Sequence, residues 1–206
     1  MNICEGISVE LDLNVDVMKV AAMYHDIGKM NNPEFFSENQ TGENIHDTID
    51  PEMSYQIITR HVGDSVVILL SVVDIPRDIL EVISQHHGNT VLLSMYKKES
   101  GIDEDHYRYK CKSPQSVEAS ILMISDSVEA TARSLFTSGQ MNSAEDRDEV
   151  VKSTIYRLEK DNQLDDMKIG IRNAVEKILC RELQQIYHKR ETYIKKNGNG
   201  TPSVVE

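Results

Sequence analysis

The chain has 206 residues, a formal net charge of −12, 39% hydrophobic and 27% charged residues, and no Trp. That balance suits a soluble globular chain with a sizeable core, and the scarcity of aromatics, Gly and Pro leans towards an all-helical fold. The negative charge excludes a broad electrostatic grip on polymeric DNA or RNA, but not a small phosphate ligand, because bound divalent ions reverse the field locally.

Cys4, Cys111 and Cys180 are widely spaced and form no C-x-x-C, so neither a disulfide framework nor a zinc knuckle is indicated and a reducing cytoplasm is expected. No apolar run approaches the roughly 20 residues that span a bilayer, and the start has no signal-peptide pattern. Residues 1–13 carry little periodic signal. Asn14 is an N-cap type residue ahead of an apolar helical stripe, Val15, Val17, Met18, Val20, Ala21 and Ala22, which delivers His25 and Asp26 at its end. Gly28 then offers a flexible exit. Residues 31–50 lack a sustained period and read as a long loop, of the kind that is more often functional than idle.

Pro51, after Asp50 as cap, starts a helix through Met53, Ile57 and Ile58 that ends at His61. A separate apolar run from Asp64 to Val73 follows, helical by length although its β-branched residues also suit a strand. Asp74 and Pro76 open a helix whose Ile79, Leu80 and Ile83 share a face before Gln85-His86-His87-Gly88. A short helix at 92–96 and a polar loop at 99–112 come next. Ser113 and Pro114 mark the start of a long amphipathic helix that carries Asp126 and Glu129. Further helices are expected at 144–160 and 168–195, and a frayed tail at 197–206.

His25-Asp26, His61 and His86-His87 therefore each fall at or beside a predicted helix end, where they can converge on one cavity. Asp126 sits within an apolar helix, where an unpaired carboxylate is expensive to bury. Its partner is either a metal ion or a basic neighbour such as Arg133. Neutral imidazoles and carboxylates together suit a borderline or hard divalent ion, and a carboxylate can bridge two.

This order resembles the HD-domain metal-dependent phosphohydrolases. More narrowly, His25 to Met30, Asn32-Pro33, Phe36, Glu38-Asn39-Gln40, His61-Val62, Gln85 to Gly88, Pro114-Gln115 and Asp126-Ser127-Val128-Glu129-Ala130 resemble the cytosolic HD domain of seven-transmembrane HD receptors, the PgpH-type cyclic di-AMP phosphodiesterases. Gln163-Leu164-Asp165 and Ile186 to Arg190 are similar to the end of that domain. The resemblance implies an all-α HD-domain helical bundle over residues 1–196, without the family's first helix, followed by a flexible tail. It implies a metal-dependent phosphodiesterase that hydrolyses cyclic di-AMP to pApA with a hydroxide activated between two divalent ions, manganese or iron, zinc being also compatible. One ion would be held by His25, Asp26 and Asp126, and the other by Asp26, His61, His86 and His87. Lys29 would contact a non-bridging phosphate oxygen, stabilising charge rather than moving a proton.

Asn39, Gln40 and His46 either line a nucleotide pocket or stabilise their loop. Arg133, two turns beyond Asp126, either meets a phosphate or pairs with Glu129. Two departures from the family stand out: no His precedes His25, where the family has a further ligand, and Cys111, Lys112 and Ser113 replace a Gly-Pro-rich turn, with Asn89 after His87-Gly88. They leave two competing expectations: an HD phosphohydrolase for another cyclic dinucleotide or nucleotide, and a non-catalytic cyclic-dinucleotide sensor with an incomplete metal site.

Overall fold

A computed structural model describes residues 3–72, 74–96 and 103–197. Its helices are α1 (Ile3–Glu10), α2 (Val15–Tyr24), α3 (Pro51–Val72), α4 (Arg77–Ser84), α5 (Leu93–Tyr96), α6 (Val117–Thr137), α7 (Ala144–Lys160) and α8 (Ile169–Asn197). Among the described residues there is no strand, only an isolated antiparallel bridge between Val91 and Arg108. No described helix is long and apolar enough to cross a membrane. Part of the expected polar loop, 99–102, and the tail from 198 onward lie outside the described residues.

The caps follow the local chemistry. The Asn14 side chain accepts from the Val17 amide at 3.1 Å, and Asp50 accepts from Glu52 at 2.9 Å. α6 starts later than Ser113-Pro114 implied: Ser116 is its cap, accepting from Ala119 at 3.1 Å. Ser143 and Asp146 form a reciprocal capping box at α7. α6 is the central post, with every residue from Ala119 to Ser125 buried. Around it pack Met18 of α2, Ile83 of α4, Val151 and Ile155 of α7, and Leu179 and Leu183 of α8, in one continuous core.

Two expectations are corrected. Residues 3–10 are helical, with Cys4, Ile7 and Ser8 buried; the stripe was hard to read because two of its three members are not strongly apolar. The two helices expected on either side of His61 are a single helix, α3, which runs through Gly63. Glycine weakens a helix interior by about 1 kcal/mol, but the buried stripe Ser54, Tyr55, His61, Val62, Ser65 and Leu69 continues on both sides of it, and packing along that stripe outweighs the local penalty. His61 therefore lies in mid-helix, not at an end.

Gly28 is likewise more than an exit from α2. The chain turns there into a 3-10 segment, Ile27–Asn31, pressed onto α3. The Gly28 amide donates to Ser65 Oγ at 2.8 Å, and the same hydroxyl donates to the His25 carbonyl at 2.8 Å. A Cβ at Gly28 would overlap the His61 carbonyl oxygen and lie 2.6 Å from the Ser65 nitrogen, both rigid helical backbone. Gly28→Ala is expected to destabilise the metal-free fold by about 3 kcal/mol, and Ser65→Ala by about 1–3 kcal/mol. Urea denaturation followed by circular dichroism measures both; a Gly28→Ala midpoint equal to wild type would contradict the close approach.

Candidate metal centre

Each imidazole of the centre is set by the backbone that carries it. His25 is the C-cap of α2, and His86 and His87 lie in the turn after α4. The Nδ1 atoms of His25, His61 and His86 lie 3.0, 2.5 and 2.7 Å from the carbonyl oxygens of Ala22, Ile58 and Ile83, each three residues back. A carbonyl can only accept, so each Nδ1 carries a proton and each ring turns Nε2 inward, as a bare lone pair in the neutral rings of His61 and His86.

Those lone pairs converge on Asp26. Its Oδ1 is 3.3 Å from His61 Nε2 and 3.7 Å from His86 Nε2, while the two nitrogens are 3.3 Å apart. Asp26 Oδ2 is 3.3 Å from His25 Nε2, which lies 3.5 Å from Asp126 Oδ1. His25 Nε2 and Asp26 Oδ1 are buried without a hydrogen-bond partner. His61 and His86 are 2% and 0% exposed, so water does not relieve the crowding of acceptors. A cation does. Two overlapping groups have ligand atoms close enough to share one: Asp26, His61, His86 and His87, and His25, Asp26 and Asp126, all within 4.8 Å of one another in each group. Asp26 belongs to both, and the donor chemistry fits divalent ions.

Electrostatics agree with this geometry. Burial holds the His86 and His87 imidazoles below their ordinary range and thus neutral. Burial also works against a charged His25, yet the Asp126 and Asp26 carboxylates outweigh it and raise its pKa to about 10. Burial opposes ionisation of Asp26 and Asp126 too, but the charged His25 beside them holds both well below the carboxylate range. Cys4 lines the same cleft; burial pushes its thiol up to about 11, so it is not a ready thiolate ligand.

Lys29 Nζ lies 2.7 Å from Asp26 Oδ2 and 2.6 Å from Glu38 Oε1, and 5.1 Å from the centre of the Phe36 ring. Arg133 lines the cleft with its guanidinium 3.5 Å from Glu129, so the ion pair forms while the group still faces the cavity. Gln40 also lines the cleft, its Nε2 buried without a partner. His46 reaches the cleft wall, but its Nε2 is bound to the Phe35 carbonyl at 2.6 Å, which pins the loop. Asn39 is not brought to the site: its amide donates to the Pro33 carbonyl at 3.0 Å and it does not line the cleft. Glu38, whose carboxylate holds Lys29, was not assigned a role from sequence; its acidic character nine residues after a motif lysine was the available signal. Ser65 gave no such signal.

Comparison with known proteins follows the same lines. The HD-domain family model matches residues 1–131. Over 199 residues the chain is 33% identical to the cyclic-di-AMP phosphodiesterase PgpH of Bacillus subtilis and 36% identical to that of Listeria monocytogenes, in each case covering 93% of this chain and 27% of the relative. The chain thus spans about a quarter of the length of these curated relatives. Its fold superposes on the crystal structure of the L. monocytogenes PgpH HD domain with a TM-score of 0.84 and 34% identity, over 91% of this chain and 89% of that one. The cyclic-di-AMP complex of the same domain gives a TM-score of 0.83 at 33% identity, over 91% and 87%. On the motif, the fold and these matches, the chain belongs to the HD-domain family.

Proposed function

We propose that this chain is a metal-dependent phosphodiesterase that hydrolyses cyclic di-AMP to pApA. The observation that carries the reading is the convergence of the His61 and His86 lone pairs on Asp26 Oδ1, an arrangement that asks for a cation. The substrate class is supported by the cyclic-di-AMP complex of the similar L. monocytogenes domain. It is supported also by the cleft, about 980 Å³, near the upper end of the roughly 300–1,000 Å³ usual for small-molecule sites.

His25, Asp26 and Asp126 would hold one ion and Asp26, His61, His86 and His87 the other, manganese or iron suiting this mixture of imidazole and carboxylate. When bound, such ions lower the pKa of water towards neutrality and offset charge on a phosphate. The protein's own groups do the rest. Lys29, whose pKa is raised chiefly by Asp26 against the effect of burial, stays an ammonium and offers charge, not a proton, to a non-bridging oxygen. Glu38 and Phe36 keep that ammonium at the cleft. Arg133 supplies a second cation for the other phosphate of a cyclic dinucleotide. The Gln40 amide is a donor for a base edge, and Ile58, Leu92 and Met95 give an apolar wall for a base plane.

Chelator-stripped protein reloaded with manganese or iron is expected to convert cyclic di-AMP to pApA, resolved by mass spectrometry, and to act more slowly on cyclic di-GMP. Asp26→Ala should lower turnover at least about 100-fold. Absence of turnover of any cyclic dinucleotide or nucleotide with either metal would overturn the proposal; cyclic di-AMP bound but left intact in calorimetry would identify a sensor instead.

The metal-free centre also has a pH signature. An unfolded His titrates near 6.5, whereas His25 in the fold titrates near 10. Protonation therefore favours the folded state: the contribution is complete below about 6.5 and is lost as pH rises through about 10. The urea midpoint of metal-free protein is expected to fall across that window, and His25→Gln should flatten the fall. A midpoint that rises over the same range would contradict this sign.

A further inference from the structure

Three imidazoles of the centre are oriented through Nδ1 by a carbonyl three residues back. His87 is different. Among the described residues no hydrogen bond reaches its ring, and three rings pack against it: His86 at 4.2 Å and 44°, His61 at 5.1 Å and 84°, and Tyr109 at 4.4 Å and 25° between planes. Two of those three are themselves in the metal centre. Tyr109 is not, and it presents its face nearly parallel to the His87 plane.

We propose that Tyr109 is a positioning residue that fixes the plane of His87 for metal binding, in place of the carbonyl acceptor that orients the other imidazoles. This rests on the reading of His87 as a ligand. The backbone supports it. The Thr90 amide and hydroxyl both donate to the His87 carbonyl, at 3.2 and 2.9 Å, and the Thr90 carbonyl accepts from the Tyr109 amide at 2.9 Å. One residue thus ties the histidine's backbone to the tyrosine's and sets the register of the two rings. Leu92 donates to the Tyr107 carbonyl at 2.8 Å, extending the short pairing around the Val91–Arg108 bridge. The neighbouring Tyr107, 1% exposed, packs its edge against Tyr55 of α3 at 5.4 Å, which anchors the segment from the far side. Tyr109 itself is 5% exposed, so its ring has little freedom to leave. A stacked face restricts rotation of the imidazole about its last torsion, the freedom that a hydrogen bond to Nδ1 removes elsewhere.

The test compares chelator-stripped wild type with Tyr109→Phe, Tyr109→Leu and His87→Ala, titrated with Mn²⁺ and followed by the electron paramagnetic resonance of the free ion. Tyr109→Phe keeps the ring face and is expected to bind as wild type. Tyr109→Leu should bind at least about tenfold more weakly, as should His87→Ala. Tyr109→Met, of similar volume without a ring, takes the place of Tyr109→Leu if that variant does not fold. Wild-type binding by Tyr109→Leu or Tyr109→Met, alongside weakened His87→Ala, would overturn the positioning role and leave the ligand reading intact. Unchanged binding by His87→Ala would overturn the ligand reading itself. A Tyr109→Phe variant as weak as Tyr109→Leu would assign the effect to the hydroxyl and overturn the stacking argument.

Discussion

The centre is governed by a shortage of protons. Asp26 Oδ1 faces two Nε2 atoms that carry none, because the carbonyls of Ile58 and Ile83 have claimed the imidazole protons at Nδ1. Three acceptors in a dry site repel one another, and burial of the two histidines removes the water that would otherwise separate them. Folding tolerates this only because larger contacts impose it: the core around α6 fixes α2 and α4, and the Gly28 turn is locked to α3 through Ser65. The strain is local and electrostatic. A divalent ion held there would relieve it, and metal affinity and fold stability would then be linked in one direction, the ion favouring the folded arrangement.

The same balance explains why a chain of net charge −12 keeps cations at its cleft. Asp26 and Asp126 are ionised in the metal-free protein, and their nearest positive charges are a protonated His25 and the Lys29 ammonium. These act as internal counter-ions. For His25 to hold a divalent ion its Nε2 would have to be free of the proton, and Asp26 Oδ2 would be shared between that ion and Lys29. Glu38 gives the displaced ammonium a second anchor 2.6 Å away. Lys29 can therefore yield Asp26 without leaving the cleft.

What the sequence made legible was chemistry carried within one element. His25-Asp26 at the end of a capped stripe, His86-His87 before Gly88, and Asp126 within an apolar helix can each be read from spacing, and the structure brings them together. What stayed illegible was contact between distant elements. Nothing near His61 in sequence indicates that α3 continues past Gly63, because the reason is a stripe buried against the Gly28 turn. Asn39 and Gln40 are adjacent and chemically alike, yet one amide turns to the Pro33 carbonyl and the other into the cleft; only the loop's 3-10 turns separate them. Tyr109 reads as an ordinary core aromatic until its ring is seen over His87.

The end of the family match at residue 131 does not mark the end of what the centre needs. Gly88, at φ +55°, turns the chain directly after His87, and an added Cβ there would overlap Gln163 Oε1. Gln163 is 1% exposed and pairs reciprocally with Asn89: its Nε2 donates to Asn89 Oδ1 at 2.7 Å, and its Oε1 accepts from the Asn89 amide at 3.3 Å. Arg108 spans the same place, bonded to the Asn89 carbonyl at 2.9 Å and to Asp161 at 2.8 Å. The turn that carries two imidazoles is thus closed by the connection between α7 and α8. Asn89 departs from the family pattern, but its backbone amide donates to Gln163 Oε1 and its side-chain Oδ1 accepts from Gln163 Nε2, so the departure is absorbed locally by this reciprocal pair. The connection between α7 and α8 is in this sense part of the candidate metal centre, because it fixes the turn on which His86 and His87 stand.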